Sequence, residues 1–134
     1  MEQDVANGPV VIPDKMYKIL IAEDDSISYT ILKKNIQKIS SEILHAVTGL
    51  EAIEICRNHP DLDLILMDLR MPVLNGQDAT RQIRLFNKKV IIIAQTAQVL
   101  LDDRKMTEEA GCDDYISKPI DYALLHELIK KHCN

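Results

Sequence analysis

The stretch Leu62-Asp63-Leu64-Ile65-Leu66-Met67-Asp68-Leu69-Arg70-Met71-Pro72 governs how the rest of the sequence is interpreted. Its four consecutive apolar residues, 64–67, are too few for a helix and indicate a short buried strand. Pro72 ends regular pairing because it has no backbone N–H. Asp68 therefore lies where a central strand leaves the sheet, the edge at which open α/β sheets bind ligands. A carboxylate there is costly unless a partner neutralises it.

The composition is that of a globular protein with one domain. Of the 134 residues, 46% are hydrophobic and 28% are charged, which suffices for a packed core. The net charge of -5 argues against direct contact with nucleic acid or an acidic membrane. No apolar run of about 18 residues occurs in the sequence, so no membrane span is expected. The three cysteines lack metal-ligand spacing, which favours a reduced, cytoplasmic location.

The order of apolar runs predicts an alternating α/β domain. Residues 1–16, with two proline turns, read as a linker or flexible lead-in to a domain over 17–134. Strands are predicted over 19–22, 42–47, 62–67, 90–94 and 114–117, each followed by a helical pattern. This alternation predicts a parallel sheet with helices on both faces and right-handed crossovers.

Local signals mark several helix ends. Ser26 is predicted as the N-cap of the first helix, and Thr48 to Glu51 fit a capping box. Gly111 suits the C′ position of the fourth helix. Apolar residues recur at helical spacing in the first helix (Ile27, Ile31, Leu32, Ile36, Ile39) and the last (Ile120, Leu124, Leu128, Ile129).

Polar residues follow four of the predicted strands and would meet at one edge of a parallel sheet. They are Glu23 and Asp24, Asp68, Thr96, and Lys118. Converging carboxylates raise one another's pKa unless a cation lies between them. An all-oxygen site rich in carboxylates suits Mg²⁺ or Mn²⁺. With such an ion in place Asp68 has the chemistry of a phosphoryl acceptor, and Lys118 and Thr96 would neutralise or bond the phosphoryl oxygens.

Each of these residues alone has a plainer interpretation. An Asp at a strand end is more often a cap or a solvated turn, and a Lys before Pro is usually a surface turn. The combination is what indicates function. Glu23-Asp24, Asp68 with Met71-Pro72 and Asn75-Gly76, Thr96-Ala97, and Ala110-Gly111 with Asp114-Tyr115 and Lys118-Pro119 resemble a response-regulator receiver domain over about residues 17–134.

The resemblance implies a flavodoxin-like fold with five parallel strands in the order 2-1-3-4-5 and five helices. It also implies roles for individual residues: Asp68 as phosphoacceptor, Glu23 and Asp24 as metal ligands with Asp68 and the Arg70 backbone carbonyl, Lys118 as phosphoryl partner, and Thr96 with Tyr115 as a switch pair. Asp25 is then expected to start the helix. Arg70 and Gln98 resemble family positions that influence hydrolysis of the phosphoryl group. Two orientations of the Arg70 side chain are equally expected: one pairs with the phosphoryl oxygens, and the other points to solvent. Gln95 requires a partner if it is buried.

A receiver domain is expected to take a phosphoryl group from phosphohistidine on a histidine kinase or a histidine phosphotransfer domain, and to change a partner-binding or homodimer surface on its fourth helix, fifth strand and fifth helix. It is a phosphoacceptor switch, not a turnover enzyme. The sequence of residues 110–119 resembles the receiver domains of hybrid histidine kinases, so the parent protein is expected to be such a kinase. The alternative is a single-domain response regulator or a phosphorelay shuttle. A remote alternative, a haloacid-dehalogenase-type phosphatase, expects a second Asp where Arg70 stands.

Overall fold

A computed structural model describes residues 15–97 and 101–133, with the backbone alone at 101–103. The strands are β1 (Tyr17–Ala22), β2 (Ser40–Ala46), β3 (Leu64–Asp68), β4 (Ile91–Thr96) and β5 (Asp114–Ser117). The helices are α1 (Ser26–Ile36), followed by a 3₁₀ turn (Gln37–Ile39), α2 (Gly49–Asn58), α3 (Gly76–Arg84), α4 (Leu101–Ala110) and α5 (Tyr122–Cys133). All of the predicted lead-in except Lys15 and Met16 lies outside the described residues, and its role stays a prediction.

The five strands form one parallel sheet in the order β2-β1-β3-β4-β5. This is the predicted flavodoxin-like order, and the prediction is confirmed. Buried side chains of α1 and α5 pack on one face of the sheet, and those of α2 and α3 pack on the other. Because both faces are covered, β1, β3 and β4 contain continuous apolar runs.

Alternate residues of each central strand enter the two core clusters. On β4, Ile93 faces the α1/α5 cluster, whereas Ile92 and Ala94 face the α2/α3 cluster. On β3, Leu64 and Leu66 face α1 and α5 in the same way. The strand ends differ slightly from the predicted ones: β3 runs to Asp68 and β4 runs to Thr96, so both polar residues are the last of their strands.

The predicted helix ends are correct to within a residue. The N-cap of α1 is Asp25, whose side chain accepts from the Ser28 N–H at 2.8 Å, so the prediction of Ser26 was wrong by one position. Thr48 caps α2 by accepting from the Glu51 N–H. The Glu51 side chain bonds the Val47 N–H, one residue before the position expected in a capping box. Gly111, at φ 112°, ends α4 as predicted.

Helical spacing overestimated burial in α1 and α5. Ile27 and Ile31 are exposed, and α1 instead buries Leu32 and Ile36. In α5, Leu125 is buried and Leu124 is exposed. In the described part of the chain, no helix combines the length and apolarity needed to cross a membrane.

Candidate active site at the carboxyl edge of the sheet

The carboxyl ends of β1, β3, β4 and β5 bring the predicted site residues to one edge. Asp68 ends β3 and is buried, and Glu23, directly after β1, is 1% exposed. A backbone bond from the Glu23 N–H to the Ala46 carbonyl at 2.9 Å fixes the chain after β1. A second, from the Lys118 N–H to the Thr96 carbonyl at 2.8 Å, fixes the chain after β5. The sheet itself therefore sets the spacing of these groups.

Lys118 joins two buried carboxylates. Its Nζ lies 3.0 Å from Glu23 Oε1 and 3.1 Å from Asp68 Oδ2. Each carboxylate has one further donor from the adjoining loop: the Arg70 N–H bonds Asp68 Oδ1 at 2.9 Å, and the Asp25 N–H bonds Glu23 Oε2 at 3.2 Å. Two carboxylates and one ammonium leave this cluster with a net negative charge.

Burial controls the acid–base properties of the cluster. Burial first, and then the hydrogen bond and charge of Asp68, raise the pKa of Glu23 from 4.5 to about 6 against the opposing effect of Lys118. Partial burial lowers the pKa of Lys118, but hydrogen bonds and charge from both carboxylates outweigh it and raise this pKa above its usual value. Lys118 is thus held as an ammonium, while Glu23 resists ionisation.

The donor set at this edge fits a hard divalent cation. Carboxylate oxygens of Glu23, Asp24 and Asp68 lie within 4.8 Å of one another, and Asp24 is exposed whereas the other two are buried. Such an all-oxygen cluster, open to water on one side, matches Mg²⁺, which binds few carboxylates and keeps several waters. Burial raises the pKa of Glu23 more than the hydrogen bond from Lys118 lowers it, which is consistent with room for a further cation.

The loop between β3 and α3 presses against Asp68. Val73 has φ 72°, and the Leu74 N–H bonds the Pro72 carbonyl at 2.8 Å, which closes a tight turn centred on Val73. Helix α3 then begins at Gly76, where a Cβ atom would overlap the backbone carbonyl of Asp68. Only glycine allows α3 to start this close to the end of β3.

The remaining predicted residues take different positions. Thr96 is 9% exposed at the end of β4. Tyr115 is half-buried on β5, and the Arg104 guanidinium lies 4.8 Å from the centre of its ring. Arg70 is exposed, so its side chain takes the solvent-facing alternative, while its backbone N–H serves Asp68. Gln98 lies outside the described residues.

His45 is a neighbour of the site that the sequence did not reveal. Its Nε2 lies 2.8 Å from the Glu23 carbonyl oxygen, which only accepts, so Nε2 carries the proton and donates. The imidazole stacks on Tyr29 at 3.5 Å between ring centres. Scattered histidines favour a packing role in general, and the register of β2 against β1 is what brings this one beside Glu23.

A doubly wound parallel sheet with a buried acid–lysine cluster at its carboxyl edge is a flavodoxin-like architecture whose acidic group could hold a metal ion. The profile of the response regulator receiver domain matches residues 19–130. The chain belongs to this family and is a receiver domain of two-component signal transduction. Membership favours the receiver interpretation over the phosphatase alternative.

Two curated relatives illustrate the contexts in which such a domain occurs. Over 128 residues the chain is 38% identical to hybrid signal transduction histidine kinase L of Dictyostelium discoideum, a match that takes in 90% of this chain and 8% of that protein. Over 116 residues it is 31% identical to the polar-differentiation response regulator DivK of Brucella ovis, covering 85% of this chain and 94% of that one. The chain spans less than a tenth of the hybrid kinases it matches.

Two solved structures are similar to this chain in both fold and sequence. One is a chain in the co-crystal structure of the Saccharomyces cerevisiae histidine phosphotransfer protein Ypd1 with the receiver domain of Ssk1, with TM-score 0.83, 34% identity, and 92% of each chain covered. The other is the receiver domain of a sensor histidine kinase from Pseudomonas aeruginosa with a magnesium ion in its active-site cleft. It has TM-score 0.79 and 32% identity, with 88% of this chain and 98% of that chain covered.

Proposed function

We propose that Asp68 is the phosphoacceptor and that a phosphohistidine of a partner protein is the donor. The observation that carries this proposal is the pairing of Asp68: a buried carboxylate held between the Lys118 ammonium and the Arg70 N–H, beside two further acids. A carboxylate placed in this way is oriented for attack, and the Lys118 ammonium is in place to neutralise the incoming negative charge.

The proposed phosphoryl transfer involves no change of oxidation state and needs no redox partner. An Asp68 oxygen forms a bond to phosphorus as the phosphorus–nitrogen bond of the phosphohistidine breaks. The electron pair of the broken bond stays on the imidazole nitrogen, which takes up a proton and leaves as neutral histidine. Lys118, already 3.1 Å from Asp68 Oδ2, neutralises the phosphoryl oxygens as they arrive.

A divalent cation would complete the site. Glu23, Asp24 and Asp68, with the backbone carbonyl of Arg70, would hold Mg²⁺ or Mn²⁺, and the bound ion would neutralise charge on the phosphoryl oxygens. The solved relative with magnesium in its cleft supports this assignment. Buried Glu23 and exposed Asp24 differ in what they contribute: Glu23 gives a fixed oxygen, and Asp24 gives one at the open side.

Thr96 and Tyr115 are proposed as the switch pair. The Thr96 hydroxyl would turn towards the new phosphoryl oxygens, and the Tyr115 ring would move into the volume that Thr96 leaves. Because Arg104 packs over the Tyr115 ring, this movement also changes the surface of α4 and β5. The face formed by α4, β5 and α5 is thus the proposed partner-binding or homodimer surface.

The proposed donor is a histidine kinase or a histidine phosphotransfer domain, as the Ypd1 co-crystal structure of a related receiver suggests. The long relatives favour a hybrid histidine kinase as the parent protein. DivK, almost all of which is matched, keeps the single-domain regulator or phosphorelay shuttle as the alternative. A cytoplasmic location remains part of the proposal.

Intact-mass spectrometry after incubation with acetyl phosphate and Mg²⁺ tests the assignment. The wild type is expected to gain one phosphoryl group, and Asp68→Asn is expected to gain none. Asp61→Asn is the matched control, because Asp61 also pairs with a lysine but lies at the opposite edge of the sheet. An adduct on Asp68→Asn, or none on the wild type, would refute the assignment.

A further inference from the structure

Gln95 is a buried polar residue without an evident bonding partner. It is 1% exposed, and neither Nε2 nor Oε1 of its side chain has a hydrogen-bond partner among the described residues. Thr80, buried on α3, shows the usual arrangement, because its hydroxyl donates to the Gly76 carbonyl at 2.8 Å. An unpaired buried amide destabilises the fold, so such a residue requires an explanation.

The register of the sheet places Gln95 beside the phosphoacceptor. Asp68 on β3 and Ile116 on β5 are its partners on the two neighbouring strands, and adjacent strands lie about 4.8 Å apart. Strand alternation puts Gln95 on the same face as Ile93, towards α1 and α5. The Leu69 N–H bonds the Gln95 carbonyl at 3.1 Å, so the backbone is fixed and only the side chain can adjust.

An apolar residue would suit this position in the unphosphorylated state. Other residues on this face of the neighbouring strands, Leu66 and Ile116, are buried and apolar. Both Asp68 oxygens are already bonded, Oδ1 by the Arg70 N–H and Oδ2 by Lys118 Nζ. Gln95 is therefore next to the acceptor carboxylate but bonds neither of its oxygens, and its amide would gain a partner by turning towards an oxygen that loses its present donor.

We propose that Gln95 is a positioning residue for phosphoryl transfer, whose side-chain N–H donates to the Asp68 oxygen that Lys118 releases when the phosphoryl group arrives. The inference rests on the proposed phosphoacceptor role of Asp68. Phosphorylation moves negative charge from the carboxylate to the phosphoryl oxygens, and the ammonium follows that charge. One acyl oxygen is then left beside Gln95.

A hydrogen bond that forms only when Asp68 is phosphorylated stabilises the phosphorylated state. The amide is unpaired before phosphorylation and paired after it, so its free energy contributes to the difference between the two forms. Gln95 would thereby orient the Asp68 side chain and favour the phosphorylated form of the switch.

The variant Gln95→Met tests this, because methionine has a similar shape and no N–H. The unloaded variant is expected to melt at the same temperature as the wild type or higher, since an unpaired amide is removed. Its affinity for beryllofluoride with Mg²⁺, which mimics a phosphoryl group on a carboxylate, is expected to fall about tenfold. Ile93→Val, on the same strand and face, is the matched control; it should lower the melting temperature and leave the affinity unchanged.

Three other outcomes have distinct meanings. Wild-type affinity in Gln95→Met would overturn the inference and make Gln95 a tolerated core residue or the partner of a buried water. Absence of both phosphorylation and beryllofluoride binding in the wild type would overturn the phosphoacceptor proposal itself, and this inference with it. If Gln95→Met fails to fold, NMR of the wild type decides: the Gln95 side-chain amide resonances should shift downfield with Mg²⁺ and beryllofluoride, and unchanged resonances would overturn the inference.

Discussion

Two lysines, at opposite edges of the same sheet, each pair with two carboxylates. At the amino edge, Lys18 Nζ lies 3.0 Å from Asp61 Oδ1 and 3.6 Å from Glu42 Oε1. At the carboxyl edge, Lys118 Nζ lies at similar distances from Glu23 and Asp68. The two groups have the same charges, although Lys18 bonds both oxygens of Asp61 whereas Lys118 bonds one oxygen of each acid.

Solvent distinguishes them. The side chains of Asp61 and Glu42 are 69% and 52% exposed, whereas those of Glu23 and Asp68 are 1% and 6% exposed. Accordingly, the hydrogen bond from Lys18 lowers the pKa of Asp61, while burial raises the pKa of Glu23. Water compensates the surplus charge at the amino edge, whereas at the carboxyl edge the proposed divalent cation would compensate it. An ion pair therefore indicates a functional site only when its acids are buried.

Removal of each lysine should give the largest contrast. Lys118→Met leaves two buried carboxylates without a counter-charge and is expected to lower the free energy of unfolding by up to about 3 kcal/mol, the low end for a broken buried pair because the lysine is partly exposed. Lys18→Met should cost much less, because both acids that pair with Lys18 are exposed to water. Urea unfolding at neutral pH without Mg²⁺ measures both, and equal losses would remove the distinction between the edges.

Magnesium should stabilise the protein through the carboxyl edge alone. At a concentration of one hundred times its Kd, Mg²⁺ is expected to add about 2.7 kcal/mol to the free energy of unfolding. Asp24→Asn should abolish most of this gain, because Asp24 is one of the three clustered acids. Asp61→Asn should retain it. A gain that persists in Asp24→Asn would show that the ion binds elsewhere.

Without metal, the free energy of unfolding should depend on pH through Glu23 at the carboxyl edge, and this effect is expected to be somewhat smaller than that of Mg²⁺. Glu23 keeps its proton up to about pH 6, whereas in the unfolded chain it loses it near 4.5. The folded state therefore binds more protons in this window, and ionising Glu23 costs stability as the pH rises through it, by about 2 kcal/mol.

Glu23→Gln removes this titration, so its free energy of unfolding minus that of the wild type should increase by about 2 kcal/mol from pH 4.5 to neutral pH. Asp61→Asn should show no such increase, because the pKa of Asp61 is shifted in the opposite direction. Denaturant titrations across this range, in a chelating buffer, make the measurement. Parallel curves for Glu23→Gln and the wild type would contradict the proposed burial effect.

The sequence predicted the sheet well because strands covered on both faces consist of continuous apolar runs. The five alternations are confirmed, and so is the strand order that the family resemblance implied. It also predicted that Glu23, Asp68 and Lys118 meet, because parallel strands bring their carboxyl ends to one edge. The residue types and the parallel topology together are enough to predict which residues form the site.

Details that depend on tertiary packing could not be predicted from the sequence. The exposure of Ile27 could not be predicted from helical spacing, since a periodic pattern does not show which of its apolar residues contact the sheet. The bond from His45 to the Glu23 carbonyl depends on the register of β2 against β1. The burial of Gln95 beside Asp68 likewise follows from the pairing of β3 with β4, which no local pattern shows.

Lys118 also has a consequence for how the protein is made. Its two partners lie 95 and 50 residues earlier in the chain, so the site is closed by contacts of very long range. During synthesis, Glu23 and Asp68 emerge long before the residue that neutralises them, and contacts so far apart in sequence are slow to form. A chain cut between Asp68 and Lys118 would contain the acceptor without its counter-charge. Competence to accept a phosphoryl group would therefore arise only after Lys118 has left the ribosome, later than either of the two acids.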